Sequence, residues 1–403
     1  MSASRNIVSF VGQNENGILR QMSHDLMSLL EPDGFKGHVI DLHKPDWQVQ
    51  FNDLLREGIF MAWGHAGIGA GLQIDGQLLW DAQKIPFVSV LADSPCWRVP
   101  NHYIRSRYVA NAYVFSEWLS IQNRFIRSPQ YSTQIKSVGV IPNPQRDSLA
   151  WRDRPQRMAF VKTGGDPEAR RKGWQNLPSR WRAVLEDAGR VAIQQPTGDI
   201  TDIYVAACES HNLPTEHRLE IFFTLMFDLD LYVREYRMNT LVKSLLDLPV
   251  DIYGRGWDHL SSQATQARFH PAFDAAHLSS VYAGTQFLLN TSPNVGSGLH
   301  ERVAFGLDSR CVVVSDYNAF SRKNLSDLPS FYGFDTTDPT LKDQMHGLYY
   351  SKTDYTDTTQ AAVDYIAENF GGKSHMVSVL KIAEELKIAE GFLGNIPPSL
   401  AFA

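Results

Sequence analysis

Short runs of apolar, often β-branched residues alternate with helix-length segments along the first half of the chain. The first run, Ile7–Val11, ends at Gly12, and after a polar loop at 13–17 the segment Ile18–Leu30 carries apolar residues at close to helical spacing. Similar short runs follow at His38–Leu42, Gly58–Trp63, Pro86–Leu91, Ala112–Phe115 and Ile135–Ile141. Short buried strands separated by helices predict a doubly wound parallel sheet, and so an α/β domain.

The same alternation returns in the second half, after an arginine-rich stretch at 152–157 that we interpret as a linker. Residues 174–248 lack the alternation and are mostly helical in pattern, which predicts a helical elaboration. An amphipathic pattern from Met376 to Leu393 predicts a closing helix. The strands predicted in this half are Met158–Lys162, a strand within Val250–Trp257 that ends in a glycine turn, Phe287–Asn290 and Cys311–Asp316.

We therefore expect two domains, in keeping with a length of 403 residues and a usual size of ~150 residues per domain. Residues 1–152 form an N-terminal Rossmann-like domain. Residues 153–375 form a C-terminal domain that includes the elaboration at about 174–248. Residues 376–403 are a helix and tail that could pack back on the N-terminal domain.

Two candidate residues of the first half follow directly after predicted strands, at the edge where parallel sheets bind ligands. His65 lies in the glycine-rich loop Gly64–Gly71, and Asp93 follows the strand that ends at Leu91. The loop has neither GxGxxG nor P-loop spacing, so it is either a plain turn or a phosphate-binding loop. His65 is then an active-site group or a hydrogen-bonded loop residue, and Asp93 is a general base or a turn residue before Pro95.

The segment 290–303 is the most informative part of the sequence for chemistry. A strand leads into the turn Gly296–Gly298, and the turn leads into a helix. The first amides of a helix are unpaired and its dipole places positive charge there, so this turn predicts a diphosphate site. His300 and Arg302 would add positive charge, and Glu301 would accept hydrogen bonds from ligand hydroxyls. The alternative is a structural turn with a surface ion pair.

Charge and metal-ligand spacing narrow the class of protein. The chain has 38 Lys and Arg against 44 Asp and Glu, a net charge of -6 with neutral histidines. Proteins that depend on nucleic-acid phosphates normally have a basic excess, so we expect no nucleic-acid partner. The sequence contains no HxH or HExxH spacing, and we therefore predict no metal site.

Cysteine usage and hydropathy bear on location. The three widely spaced cysteines form neither a disulfide framework nor a zinc pattern, which is typical of a reducing cytoplasm. The N-terminal apolar run is too short for a signal peptide, and no run approaches the ~18–20 residues that span a bilayer. We expect a cytoplasmic protein with no transmembrane segment and at most peripheral membrane association.

Three stretches of the chain resemble the GT-B glycosyltransferases, and more narrowly the CgeB-like group with a Glyco_trans_1_2 type of C-terminal domain. They are the turn Val250–Trp257, the order of residues through Phe287–Asp316, and Val140–Pro144. The resemblance implies an α/β GT-B fold, with two Rossmann-like domains facing across a cleft and a helical elaboration in the second. It also implies a metal-independent glycosyltransferase, whose nucleotide-sugar donor is a substrate rather than a cofactor.

Carried over position by position, the resemblance implies a donor site in the C-terminal domain. Gly254 and Trp257 would border the nucleotide, and residues 298–302 would hold the phosphates, sugar or ribose. His270, which we expect in a loop before the helix leading to Tyr282, is a further candidate contact to the nucleotide. The complete predicted donor set is Gly254, Arg255, Trp257, His270, Gly298, His300, Arg302, Asp316 and Asn318.

For the chemical step we expect Asp93 as the general base, with His65 as the second candidate, and Glu301 as a further catalytic residue. An inverting enzyme would use such a base from the N-terminal domain. A retaining enzyme could instead place Asp228 or Asp230 near the sugar, although capping or solvating the middle helices is the simpler interpretation of both. The stereochemistry therefore stays open.

The expected reaction transfers a sugar to a glycan or protein acceptor, in bacterial surface polysaccharide or glycoconjugate synthesis. The chain departs from the family pattern at 308–310, where Ser309 replaces a second glutamate. The donor could therefore be a CMP-linked acidic sugar, similar to Kdo or sialic acid, whose carboxylate would meet Arg255, Arg302 or Arg310. The chain could instead be a non-catalytic sugar-nucleotide-binding module or a UDP-sugar epimerase of the same fold.

Overall fold

The structure, a computed structural model, describes residues 5–12, 17–135, 139–215 and 219–393. The chain forms two compact units. Unit 1 combines Met1–Ile141 with Phe370–Ala403, and unit 2 is the continuous segment Pro142–Asn369. The units divide after Ile141 and after Asn369, slightly before the predicted boundaries at 152 and 375.

Within the described residues, each unit contains a six-stranded parallel sheet. Unit 1 has the sheet order β2-β1-β3-β6-β7-β8, and unit 2 has the order β11-β10-β9-β12-β13-β14, with strand bounds as follows. The strands of unit 1 are β1 Asn6–Val11, β2 Lys36–Asp41, β3 Met61–His65, β4 Gln73–Ile74, β5 Gln77–Leu78, β6 Phe87–Leu91, β7 Val109–Tyr113 and β8 Tyr131–Gln134, of which β4 and β5 form a separate antiparallel hairpin. The strands of unit 2 are β9 Gln156–Val161, β10 Asp251–Tyr253, β11 Arg268–His270, β12 Thr285–Asn290, β13 Val312–Asp316 and β14 Phe331–Phe334.

Helices alternate with these strands. In chain order they are α1 Ile18–Ser28, α2 Trp47–Glu57, α3 Leu79–Gln83, α4 Ser116–Ile121, α5 Pro167–Gly173, α6 Ser179–Gln194, α7 Ile200–Ser210, α8 Leu219–Lys243, α9 Asp258–Ser261, α10 Leu278–Ala283, α11 Glu301–Asp308, α12 Ala319–Asn324, α13 Leu341–Tyr350, α14 Thr359–Phe370 and α15 Gly372–Leu393. The closing helix α15 packs against α1, β6 and β7 of unit 1. In the described part of the chain, none of these helices combines the length and the apolar character needed to cross a bilayer.

The strand order reverses direction once in each sheet, at β1 in unit 1 and at β9 in unit 2. From β9 the chain builds β10 and β11 on one side and then β12 to β14 on the other. The carboxyl ends of the strands at such a reversal form a crevice in which open parallel sheets bind ligands. In unit 2 the residues directly after the two strands at the reversal are Lys162, after β9, and Thr291, after β12.

The helical elaboration lies between β9 and β10, where one crossover helix would suffice. Its last helix, α8, is 25 residues long and packs against α5, α6 and α7. Because α8 is buried around most of its circumference, its sequence lacks the one-sided apolar stripe of a surface helix. The predicted elaboration and the predicted α/β architecture of two parallel sheets are both confirmed.

Short edge strands differ from the prediction. The sequence predicts a strand at Ile135–Ile141, but β8 occupies Tyr131–Gln134, where a polar segment pairs with β7 at the sheet edge. Residues 136–138 of the predicted run lie outside the described residues, as do 13–16 of the predicted polar loop and 394–403 of the predicted tail. Strands β11 and β14 escape prediction because segments of three or four residues are too short to show a clear period of two.

Candidate functional site

Lys162 lies at the strand reversal of unit 2 and connects the ends of β9 and β12. Its Nζ donates to the carbonyl oxygen of Thr291 at 2.8 Å and to the Oγ1 of Thr291 at 2.9 Å. Burial lowers the pKa of Lys162 well below its usual range, and the positive charges of Arg302 and Arg234 lower it further. The amine of Lys162 therefore lies close to other positively charged groups, which disfavour its protonated form.

The loop after β12, residues 291–300, is held in place by two polar side chains. The backbone N–H of Ser292 donates to Oδ1 of Asp316 at 2.6 Å. Asn318 donates from Nδ2 to the carbonyl oxygens of Val295 and Gly298, at 3.0 and 2.9 Å. Two of the predicted donor-site residues, Asp316 and Asn318, thus fix the backbone of this loop.

His300 caps the helix that follows, α11. Its Nδ1 accepts a hydrogen bond from the backbone N–H of Arg302 at 3.1 Å, which leaves the proton of the neutral ring on Nε2. This Nε2 lies 3.2 Å from Oε2 of Glu301. Burial lowers the pKa of His300 well below its usual range, and Arg302, Lys162 and Arg234 lower it further. The imidazole is neutral and orients Glu301 at the start of the helix.

Arginines from two different elements complete the positive charge. Arg302, on α11, donates from Nη1 to Oδ1 of Asn290 at 2.8 Å. Arg234, on α8, is paired with Asp230 at 2.8 Å. Both arginines contribute to the lowered pKa values of Lys162 and His300. The electrostatic potential is therefore positive where β9 and β12 end, beside the N-terminus of α11. Such an arrangement binds an anion, and two or more phosphate groups would neutralise it.

The acidic residue at the end of β13 partly balances this charge. Burial raises the pKa of Asp316, while Arg237 and Lys162 oppose that shift. Its carboxylate accepts a hydrogen bond from the backbone N–H of Ser292. Asp316 therefore fixes the loop and also offsets part of the positive charge of Lys162 and Arg237. We call the set Lys162, Arg234, Arg302, His300 and the N-terminus of α11 the anion cluster.

The predicted nucleotide-bordering residues of the turn after β10 shape the backbone next to Lys162. Gly254 has a φ of +142°, and a Cβ on it would collide with the carbonyl oxygen of Lys162. Trp257 is buried and donates from Nε1 to that same carbonyl at 2.9 Å. Arg255 is exposed, and its carbonyl accepts from the N–H of Gly164 at 2.7 Å.

His270 lies in β11, and the prediction of a loop at this position is wrong. Its Nε2 bonds Oδ1 of Asp251 at 2.7 Å, and its ring stacks on Tyr253 with centroids 4.6 Å apart. Arg268 donates to the other carboxylate oxygen of Asp251 at 2.7 Å. These side-chain contacts stabilise the short strand β11 in addition to its backbone hydrogen bonds with β10.

Within unit 1, His65 ends β3 and Asp93 follows β6. His65 is buried, and its Nε2 has no hydrogen-bond partner among the described residues. Burial, with a smaller contribution from His375, lowers the pKa of His65 to about 3. Asp93 is exposed and precedes Ser94, whose Oγ caps the short helical turn Pro95–Trp97.

Sequence reasoning found the part of the anion cluster that is contiguous in the chain and missed the rest. The Gly298–Arg302 turn is visible as a motif, and the structure brings it together with Lys162 and Arg234. Lys162 ends a predicted strand, so its position at a carboxyl end could have been noticed. Arg234 gives no signal, because an arginine in a long helix normally faces solvent.

Two further candidates from the sequence, Asp228 and Arg310, are held in ion pairs. Asp228 accepts from Arg170 at 2.7 Å and also from the indole of Trp174. Arg310 pairs with Asp147 at 2.9 Å. In the described part of the chain, no three His, Cys, Asp or Glu side chains converge as a metal site would require.

No family model matches the chain, and no curated protein matches it in sequence. Solved structures do match. Sucrose-phosphate synthase from Thermosynechococcus elongatus is 8% identical with a TM-score of 0.51, over 96% of this chain and 100% of that chain. AviGT4, a glycosyltransferase involved in avilamycin A biosynthesis, is 11% identical with a TM-score of 0.50, over 94% and 97% of the two chains.

A third structure, HepE from Anabaena in complex with UDP-glucose, is 10% identical with a TM-score of 0.50, over 95% of this chain and 99% of that chain. The chain has the GT-B fold. At identities this low the likeness concerns the fold alone, and it extends over both units.

Proposed function

We propose that this chain is a metal-independent glycosyltransferase. It moves a sugar from a nucleotide-sugar donor to a glycan or protein acceptor in bacterial surface polysaccharide or glycoconjugate synthesis. We further propose the CgeB-like group as its narrower family. Its location is cytoplasmic with at most peripheral membrane association, and nucleic acid is not among its partners.

The observation that carries the proposal is the anion cluster at the strand reversal of unit 2. Burial lowers the pKa of His300, and the positive potential of Arg302, Lys162 and Arg234 lowers it further. A diphosphate would balance that potential and would accept hydrogen bonds from the first amides of α11. A nucleotide-sugar donor carries such a diphosphate next to the sugar that is transferred.

The same residues can assist the departure of the diphosphate. As the bond between the anomeric carbon and the phosphate oxygen breaks, negative charge develops on the leaving group. Fixed cations and helix amides stabilise that charge without having to reorganise, so the reaction as proposed needs no cofactor or metal ion. Glu301, held by His300 at 3.2 Å, is suited to accept hydrogen bonds from sugar or ribose hydroxyls.

For an inverting reaction, Asp93 is our candidate for the base that takes the proton from the acceptor hydroxyl. His65 is the weaker candidate, because its ring is buried whereas Asp93 is exposed to an approaching acceptor. HepE was solved with UDP-glucose. A nucleoside-diphosphate hexose is therefore the first donor to test.

The test is calorimetric titration with UDP, GDP, dTDP and CMP, followed by a turnover screen with the corresponding nucleotide sugars. We expect at least one nucleotide to bind, and Lys162→Gln to weaken its binding about tenfold or more. Glu301→Ala should lower turnover. Lys172→Gln is the matched control, since Lys172 is exposed on α5 and should leave binding unchanged.

The outcomes separate the candidate functions. Equal nucleotide affinities for wild type and Lys162→Gln would place the donor elsewhere. Binding without turnover of any sugar would favour the non-catalytic module, and turnover without an acceptor would favour an epimerase. Selective binding of CMP would favour an acidic-sugar donor.

A further inference from the structure

Asp230 is a buried carboxylate on α8, in the helical elaboration that the fold itself does not require. Its exposed fraction is 1%. A buried carboxylate is costly unless it is paired, so its partners indicate what it is retained for. Two of these partners lie in different directions: Arg234 is one turn along α8, and Asn294 is in the loop after β12.

The contact with Asn294 ties the elaboration to the loop of the anion cluster. Asn294 donates from Nδ2 to Oδ1 of Asp230 at 2.9 Å and to the carbonyl oxygen of Asp230 at 3.1 Å. Asn294 is itself buried and has a φ of +54°, in the left-handed region. Few residues adopt this conformation without help, and a side-chain amide held by a carboxylate stabilises it.

Asn294 begins the stretch that reaches the turn at Gly296–Gly298. From the other side, Asn318 holds the carbonyl oxygens of Val295 and Gly298. Asp230 therefore holds the loop just before the turn, in addition to Asp316 at Ser292 and Asn318 along the turn. Of these three residues, Asp230 alone belongs to the elaboration.

The contact with Arg234 orients a cation of the cluster. The Nε of Arg234 lies 2.8 Å from Oδ2 of Asp230, and the Arg234 side chain is largely buried. Burial is the main reason that the pKa values of Lys162 and His300 are lowered, and the charge of Arg234 adds to the shift of both, so it acts on both groups. Without the carboxylate, the guanidinium would lose this ion pair.

We propose that Asp230 is a positioning residue for the donor site, which aligns Arg234 and the 294–298 loop at the same time. The inference rests on the proposed function and adds to it that the helical elaboration is part of the donor site. Asp230 acts through Arg234 and Asn294 and does not itself touch the donor. It is therefore distinct from a carboxylate that would face the sugar.

The test is a double-mutant cycle on UDP and pyrophosphate binding, measured by calorimetry. Asp230→Asn and Arg234→Gln should each weaken binding about tenfold, and the double variant should lose less than the sum of the two single losses, because both changes remove the aligned Arg234. Asp228→Asn is the matched control, because Asp228 pairs through the same helix with a different arginine, Arg170 at 2.7 Å, which is not part of the anion cluster.

Amide hydrogen exchange distinguishes alignment from a general loss of stability. Exchange at residues 294–298 should be faster in Asp230→Asn and in Asn294→Gly, which keeps the left-handed backbone, and unchanged in Arg234→Gln. Circular dichroism checks folding. If Asp230→Asn fails to fold, Arg234→Gln and Asn294→Gly test the two arms separately.

Wild-type affinity for both probes in Asp230→Asn, additive losses in the cycle, or equal losses in Asp228→Asn would each overturn the inference and leave the proposed function standing. A wild-type protein that binds neither these probes nor GDP, dTDP or CMP would overturn both.

Discussion

Lys162 and His300 lie close to Arg234 and Arg302, and burial together with this positive charge lowers the pKa of both residues. A bound diphosphate would reverse the electrostatic part of that shift, because negative charge favours the protonated forms. Binding should therefore take up protons wherever these groups are neutral in the empty site.

Calorimetry of UDP binding in buffers of different ionisation enthalpy measures this uptake. We expect the apparent binding enthalpy to depend on the buffer with the sign of proton uptake, and the dependence to shrink in Lys162→Gln and His300→Gln. An apparent enthalpy that is the same in every buffer would contradict the assignment of the anion cluster.

We expect the protein to lose stability in acid because His65 is buried in its neutral form. Its pKa is lowered by burial to about 3 in the folded protein, whereas in the unfolded chain it is about 6.5. The unfolded state therefore binds the proton first as the pH falls. Stability conferred by the neutral ring is present above pH ~6.5 and is lost between ~6.5 and about 3.

A single proton changes the free energy of unfolding by about 1.4 kcal/mol per pH unit. His65→Phe removes this proton while keeping an aromatic ring against Trp63. Urea titrations at pH 6, 5 and 4 should give a slope against pH that is smaller by about one proton than in wild type. His102, whose pKa is lowered by burial to about 4, titrates in both proteins.

At the scale of single residues, the sequence indicates those candidate site residues that are contiguous in the chain. Glu301 and Arg302 follow a glycine turn that can be read directly from the chain. Lys162 and Arg234 come from a strand and a helix that meet only when the sheet forms. The wrong assignment of His270 to a loop has a similar cause, since its partner Asp251 lies on the neighbouring strand.

At the scale of elements, the side chain of Asn318 both caps α12 and holds the loop after β12, and mutations can separate these two interactions. Its Oδ1 accepts from the N–H of Ser321 to cap α12, while its Nδ2 donates to the loop at Val295 and Gly298. Asn318→Asp keeps the capping oxygen and loses the donor, whereas Asn318→Ala loses both.

We therefore expect Asn318→Ala to cost about 1–2 kcal/mol in the free energy of unfolding, from the lost cap, and to weaken nucleotide binding. Asn318→Asp should be more stable than Asn318→Ala but similarly weak in binding. Chemical denaturation and calorimetry measure the two effects. Full nucleotide affinity in Asn318→Asp would show that the loop does not depend on these bonds.

The turn after β10 makes a second prediction at this scale. Gly254→Ala forces a side chain into a backbone conformation with a φ of +142° and against the carbonyl of Lys162. Strain of this kind costs about 1–3 kcal/mol. We expect lower stability in chemical denaturation and weaker nucleotide binding in calorimetry, because Lys162 is displaced.

The control for this variant is Gly173→Ala. Gly173 ends α5, and an added Cβ there meets nothing within 4 Å. It should leave stability unchanged or raise it slightly. Similar losses in both variants would mean that the strain at Gly254 is unimportant.

Elements with a strong local signal were predictable. Strands β1, β6, β12 and β13 are apolar runs buried on both faces, so their sequences identify them. Strand β8 at the sheet edge pairs through its backbone, and its polar side chains do not reveal it. The burial of α8 around its circumference depends on its neighbours, and no one-sided stripe announces it.

At the scale of the whole molecule, the two units differ in how the chain builds them. Unit 2 is a continuous segment, Pro142–Asn369, and contains the entire anion cluster. Unit 1 also includes the segment from Phe370 onward. Two backbone hydrogen bonds join that segment to Val140, which donates to the carbonyl of Phe370 at 2.8 Å and accepts from the N–H of Gly372 at 2.7 Å.

We therefore expect the fragment 142–369 to fold alone and to bind UDP within a few-fold of the full chain, since a domain with its own core can fold independently. Circular dichroism and calorimetry of this fragment are the measurements. A truncation after Asn369 should destabilise unit 1, because α15 is lost from β6 and β7. A fragment 142–369 that folds but binds no UDP would show that unit 2 is insufficient.

The position of Arg234 on α8 has a consequence for evolution and for engineering. Helices inserted between two strands of a sheet are usually free to lengthen, shorten or be exchanged. Here a deletion of one residue in α8 between its packed start and Arg234 would rotate the arginine by about 100° around the helix axis. Chimaeras with other proteins of the GT-B fold should therefore exchange Pro142–Asn369 as one segment, because shortening α5–α8 would remove a charge from the anion cluster.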